Sequence, residues 1–333
     1  MGFATPGPML PPGFNNPNYG KGQHTIGDDG PSIEQEEAKL TEWLDAFLSQ
    51  PTVELPRLPA VAMEILEISR KPTARIEDIA SLLEREPLLA AKVLKLANSA
   101  LYGAPVAVTT LKQALIRMGL STVRDVVMEA AYQMTVMRAE GFNDTLEAIR
   151  RHSTATAWLS RFIARNTAME AENAFLIGLL HDVGLSIGLI GLSEWLKKHK
   201  QPVRLRPEHW LAVKRQHDAI GGKILDSWKL PPALTLVVKN HHQLMVGGYP
   251  HPSVAIQMVA EHIAYGAGWG VTPMVYRQAD DMPLVSGITS IHDDARDKAL
   301  NALSLTMRHY EQFVQDTKRV LETLAGQFQK RAA

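Results

Sequence analysis

An all-α protein is predicted by three features of this sequence. Apolar residues recur at three- and four-residue spacing through most of it, no alternating strand pattern of useful length appears, and prolines fall where helical stripes stop and restart. Residues 1–31 stand apart, with seven Gly and six Pro and few apolar residues in periodic order. Such a stretch cannot bury enough surface to offset its chain entropy, so it reads as a disordered leader.

Helical order is expected from Ser32, where Ser-x-x-Gln resembles a capping box ahead of Leu40, Trp43, Leu44, Phe47 and Leu48. This first helix spans about 33 to 49. Pro51, Pro56 and Pro59 then force an extended link. A helix over 61–69 follows, then one capped by Thr73 that carries Ile76, Ile79, Leu82 and Leu83. Glu86-Pro87 marks a new start, because proline is tolerated in a first turn, and Leu88 to Ala97 follows. Further helices are expected near 110–118, 121–138, 143–166, 172–182, 189–199, 207–227, 231–242 and 252–265. The pattern divides into a leader (1–31), an N-terminal helical half (32–142), a second helical half (143–265), an irregular loop (266–292) and a C-terminal segment (293–333). Leu300, Leu303, Met307, Tyr310, Val314, Leu321, Leu324 and Phe328 give that last segment the stripe of one long amphipathic helix over 293–329. The stripe suits packing on its own domain, or a homodimer seam.

Composition narrows the function classes. The 333 residues are 45% hydrophobic and 21% charged, as in a soluble globular protein, with 35 basic residues against 35 acidic ones. No basic stripe with interleaved aromatics appears, so direct nucleic-acid binding is not expected. No run of about 18 apolar residues and no signal peptide is evident, which makes the cytoplasm the expected location and a membrane an unexpected partner. With no cysteine there is no thiolate site, and any metal must use His and carboxylate ligands. Gly-rich phosphate loops and a G-x-S-x-G elbow are absent.

Chemistry is signalled at Ala174-Phe-Leu-Ile-Gly-Leu-Leu-His181-Asp182-Val-Gly184, where an imidazole and a carboxylate end an apolar run. A buried aspartate needs a metal, a cation or a set of donors. His152, His217, His241, His242 and Glu261 also lie on helices that are otherwise apolar on one face. Convergent imidazoles and carboxylates suit Fe, Mn, Zn, Ni or Co, and Asp182 is the natural bridge between two ions. His241 and His242 point about 100° apart on a helix, so both cannot aim at one ion unless the helix ends there; one is expected to ligate while the other hydrogen-bonds or meets a second ion. Gly221, one turn after His217, allows close helix approach. His199, His209 and His251 are assigned to the surface, and His262, which could flank the site, is read as incidental to it.

The order of motifs resembles a known family. Leu55-Pro-x-Leu-Pro59, Arg85-Glu-Pro-Leu-Leu-Ala-Ala-Lys-Val-Leu-Lys-Leu-Ala-Asn-Ser99 and Ala114-Leu-Ile-Arg-Met-Gly119 resemble the N-terminal half of HDOD proteins, the HD-related output domains of bacterial signalling. Arg151-His-Ser153, Gly178-Leu-Leu-His-Asp-Val-Gly184, His217-x-x-x-Gly-Gly-x-Ile-Leu225, Trp228-x-Leu-Pro231 and His241-His242 are similar to the second half, in the same order. The resemblance covers about 50 to 265 and implies a multi-helix HD-like bundle with an N-terminal helical subdomain. It also implies a regulatory output module related to the HD and HD-GYP metal-dependent phosphohydrolases but without demonstrated hydrolysis. His152, His181, Asp182, His217, His241 and His242 match the metal-ligand positions of HD-GYP enzymes, and Glu261 stands where that superfamily has its final aspartate.

Three departures weigh against turnover. Leu185 replaces a lysine usual in the hydrolases, Gln243 to Val246 replace Glu-Arg and Asp-Gly, and Gly248-Tyr-Pro250 echoes the GYP triplet one residue early. The expected function is therefore signal transduction through protein contacts with signalling partners, with one or two divalent metal ions as the cofactor. Two alternatives are a metal-dependent phosphohydrolase, in which Asp182 is the catalytic residue that orients or deprotonates the attacking water, and a non-hydrolytic nucleotide sensor.

Overall fold

The computed structural model describes residues 33–49, 56–99, 102, 106–135, 139–167, 173–271 and 293–332. The expected leader, and the expected loop from 272 onward, lie outside them. Within the described residues the chain is all-α apart from one two-stranded hairpin.

The first helices are short because proline and caps cut them. After α1 (Ile33–Ser49), α2 (Ala60–Ile68) begins behind Pro59, and α4 (Pro87–Ala97) carries its proline in the first turn. Between them α3 (Ile76–Glu84) is not capped by Thr73: Arg75 holds the N-cap position without a side-chain bond. Glu77 and Asp78 in the first turn meet the positive end of the helix dipole instead. In α5 (Leu111–Met118) the Thr110 hydroxyl accepts from the Gln113 N–H at 3.2 Å while the Gln113 side chain accepts the Thr110 N–H. Gly119, at φ 77°, then turns the chain into α6 (Leu120–Thr135).

The second half contains α7 (Asn143–Arg165), α8 (Ala174–Leu180), α9 (Val183–Lys198), α10 (Pro207–Ser227), α11 (Pro232–Lys239) and α12 (Pro252–Gly266). Three boundaries beside the candidate donors differ from the sequence expectation by two residues or more. The helix expected to reach 182 stops at Leu180, and α9 starts at Val183 rather than 189, leaving His181 and Asp182 as a two-residue turn. Gly184 and Gly188 weaken the helical signal over 183–188, yet tertiary packing holds that stretch helical. The helix expected to reach 242 ends at Lys239. The one departure from helix is a small hairpin, Met245–Val246 against Tyr249–Pro250, turned by Gly247 (φ 64°) and Gly248 (φ 88°), consistent with the all-α expectation.

The long C-terminal helix expected over 293–329 is two helices, α13 (Asp293–Ala302) and α14 (Met307–Ala332). The break contains Ser304 at a positive φ of 57°. Of the expected stripe, Leu300, Leu303, Leu321 and Leu324 enter the main core and Tyr310 packs against it, whereas Met307 and Val314 are exposed and Phe313, outside the expected stripe, is buried instead. Phe313 packs edge-on to Phe162 of α7, with ring centroids 5.9 Å apart.

That main core links the N-terminal helices to α7, α8, α12 and the C-terminal pair, and a smaller core surrounds α1, α9 and α10. Helix α1, expected in the N-terminal half, thus packs on the second half, where Gly191 leaves room for Leu44 and Phe47. His209 is buried rather than on the surface, its ring 5.9 Å from that of Trp195. The stretch Ala174–Lys198 is long and apolar enough to cross a membrane by length and composition, but 94% of its apolar window is buried within the molecule.

Candidate metal centre

Six donors predicted from sequence converge between the helices of the second half. His152 comes from the middle of α7, His181 and Asp182 from the α8–α9 turn, His217 from α10, and His241 and His242 from the turn after α11. Because α11 ends at Lys239, both members of the second His pair can point inward. His152, His181, His217, His241 and Asp182 are buried; His242 is exposed, with its ring 4.0 Å from that of His241.

The donors form two groups that share one carboxylate. Asp182 Oδ2 lies 3.4 Å from His181 Nε2 and 3.7 Å from His152 Nε2, and those nitrogens are 3.2 Å apart. Asp182 Oδ1 lies 3.3 Å from His217 Nε2 and 3.7 Å from His241 Nε2. His217 Nε2 is 3.1 Å from the Nε2 atoms of both His241 and His242.

Tautomers follow from the other ring nitrogens. His152 Nδ1 donates to the Trp269 carbonyl at 3.0 Å, and His181, His217 and His241 each donate Nδ1–H to the carbonyl three residues back, Gly178, Lys214 and Val238. A carbonyl only accepts, so in the neutral ring Nε2 is left with a bare lone pair. Four such lone pairs face one another and Asp182. Neutral Nε2 atoms 3.1–3.2 Å apart cannot hydrogen-bond. Donors about 2.1 Å from a shared ion lie roughly 3.0–3.4 Å from each other at octahedral or tetrahedral angles. The site therefore fits a divalent ion in each group, with the carbonyls acting as the orienting partners that metal-binding imidazoles require.

Electrostatics favour the same state. Burial would raise the Asp182 carboxyl, but His181, His217 and His152 outweigh it and hold the group well below the usual carboxylate range. Burial lowers His152 to about 4 and His242 to about 3, and it takes His241 well below the ordinary imidazole value, each helped by neighbouring imidazoles. At neutral pH the aspartate is thus ionised and these three rings neutral, as ligands must be.

Glu261 is buried in α12 but falls outside both donor groups among the described residues; Gln257 Nε2 donates to it at 2.7 Å. Burial raises its carboxyl, with His181 opposing. His262, expected to be incidental, bonds Tyr310 at 2.7 Å and Asp293 at 3.0 Å, on the C-terminal helices.

Glycines make the convergence possible. A Cβ on Gly184 would stand 1.8 Å from the His217 carbonyl oxygen, and one on Gly178 2.6 Å from the Thr156 carbonyl oxygen. Helices α9 and α10, and α7 and α8, could not otherwise approach so closely. Leu185 is buried in the smaller core with Leu189 and Trp210. Sequence reasoning missed the Trp269 carbonyl and Tyr265, whose ring centroid is 5.2 Å from that of His152. It also passed over the Lys214 carbonyl, although helical spacing from His217 could have pointed to it.

Comparison with known proteins settles the family. The HDOD domain model matches residues 55–244, more than half of the chain. The chain belongs to the HDOD family. An HDOD domain protein of unknown function from Geobacter sulfurreducens superposes with a TM-score of 0.61 at 20% identity, covering 88% of this chain and 97% of that one. A protein of Marinobacter aquaeolei VT8 described as a candidate signal transduction protein gives 0.59 at 18% identity, covering 91% and 67%. A Shewanella amazonensis SB2B protein described as a candidate metal-dependent phosphohydrolase gives 0.55 at 21%, covering 84% and 98%. These likenesses show the HDOD helical fold. An uncharacterized protein of Treponema pallidum (strain Nichols) is 24% identical over 211 residues, 61% of this chain, and the match spans 40% of its length.

Proposed function

We propose that this HDOD protein is a signalling module built around a divalent-metal centre. His152, His181 and one oxygen of Asp182 hold one ion, His217, His241, His242 and the other oxygen hold a second, and the module acts on signalling proteins through its surface. The observation that carries this reading is the set of bare Nε2 lone pairs turned on a bridging carboxylate. A cluster kept only for hydrogen bonding would need a proton between each pair of nitrogens, and the carbonyls have already taken the Nδ1 protons.

A divalent ion here would supply Lewis-acid chemistry toward a phosphoryl oxygen or water. Asp182 would orient a group shared by the two halves of the site, and His242 would form its solvent-facing side. That opening favours a second reading, phosphoester hydrolysis with Asp182 as the residue that positions or deprotonates water. Against it, Leu185 is buried in apolar surroundings and cannot offer a cation.

The test is metal analysis of the purified chain with an assay on a panel of cyclic and linear nucleotides. The signalling reading predicts bound metal without turnover. Turnover that disappears in Asp182→Ala replaces it with the hydrolase reading, and nucleotide binding without turnover makes the module a ligand sensor.

A further inference from the structure

A cavity at the far end of α9 from the metal centre is walled by aromatic rings. It opens between α1 and the end of α9, measures about 500 Å³, and is lined by Trp43 and Ala46 of α1 with Trp195, His199 and Gln201. That volume is in the range of ligand-binding clefts. Trp195 lies 13 residues along the chain from Asp182, about 20 Å by helical rise. Its walls are held in place. Trp43 stacks on Phe47 with ring centroids 4.7 Å apart, and Gly191 lets α1 settle on α9. The His199 ring lies 4.5 Å from that of Trp195 and is fixed by its Nδ1–H bond to the Trp195 carbonyl at 2.8 Å. Lys39 and Glu42 bring opposite charges to the rim, so the cavity favours neither sign. The Gln201 oxygen accepts from Arg206 at 3.3 Å, which leaves its amide N–H groups as donors beside the indole N–H groups. Rings flanked by N–H donors suit a proline-rich segment, whose pyrrolidines pack on indole faces and whose carbonyls accept.

The chain carries such a segment ahead of α1. Pro6-Gly-Pro8-Met-Leu-Pro11-Pro12-Gly-Phe14 has no charged residue and contains the Pro8-x-x-Pro11 spacing of polyproline ligands. The 20 residues from Gly13 to Ser32 join it to α1. A linker of that length spans about 25 Å root-mean-square, and Trp43 lies about 15 Å along α1 from Ile33, so reach and span match. Tethering at that distance gives an effective concentration on the order of millimolar, enough for a contact that is weak between free partners. We propose that the Trp43–Trp195 cavity is a polyproline-binding site and that it docks residues 8–12 of its own chain.

The chain has no cysteine, so Leu10→Cys gives a single attachment point for bimane, a fluorophore that indole quenches on contact. The labelled full chain is compared with the same chain carrying Ala46→Arg. That substitution puts a long charged side chain into the cavity, keeps every tryptophan, and falls at an exposed helical position. Quenched emission is expected in the first chain and emission at least about threefold brighter in the second, at equal Tm. An unlabelled peptide of residues 6–14 at millimolar concentration should likewise relieve the quenching. Emission unchanged by Ala46→Arg, or by the peptide, overturns the inference. Should Ala46→Arg melt below the parent, the peptide alone decides, relief supporting docking and no effect overturning it. Quenching that grows with protein concentration also overturns it, because the occupant is then the leader of a second copy. An unquenched parent does the same and leaves the cavity to a segment of another protein.

Discussion

Asp182 gives one oxygen to each histidine group, so its removal should empty both. Asp182→Ala is expected to lower bound metal from as many as two ions per chain to none, whereas His152→Ala should empty one group and spare most of the other; elemental analysis of dialysed protein reads both. The depressed imidazoles predict an acid-labile metal-free state. A ring ionising near 6.5 when unfolded and at about 4 when folded takes up a proton in the unfolded chain first. Stability contributed by the neutral ring is complete above pH 6.5 and falls as the pH drops toward 4. For His152 alone the loss is about 3 kcal/mol, from 1.36 kcal/mol per unit. The Tm of metal-free protein should fall between pH 7 and 5, and His152→Asn should flatten that decline; a Tm independent of pH over this window would contradict the charge states. The six clustered side chains were legible in the sequence as polar residues on apolar helices. Their orientation was not, because the Trp269 carbonyl that fixes His152 carries no side-chain signature.

Single glycines decide whether neighbouring elements can meet. With its added methyl 1.8 Å from a backbone oxygen, Gly184→Ala must push α9 from α10 and carry His217 away from Asp182. The expected cost is about 3 kcal/mol together with weakened metal uptake. Thermal melting and metal titration of that variant check both, and an unchanged Tm would show that the helices are less tightly apposed. Helix α10 was legible to the residue, from Pro207 in its first turn to Ser227. The start of α9 was not, because Gly184 and Gly188 look like breakers until the packing that needs them is known. The end of α11 at Lys239 was legible only as a condition, that the His pair could serve together if the helix stopped.

At the scale of the whole molecule, the apolar stripe at the C-terminus closes onto the chain's own core. Phe313→Ala should cost about 3 kcal/mol by opening a cavity against Phe162, while sedimentation shows an unchanged mass. A change in mass would return the stripe to a dimer seam. The all-α class and the HDOD family were both legible, since helical spacing sets the first and ordered motifs the second. The docking of α1 on α9 and α10 was not, because an amphipathic helix shows which face it buries without saying against what. The central claim is that this bundle holds metal through a bridging aspartate. The most direct measurement is the metal content of the purified full chain beside that of Asp182→Ala. One to two divalent ions per chain are expected in the first and none in the second, with both folded. A folded parent that binds no divalent metal would contradict it.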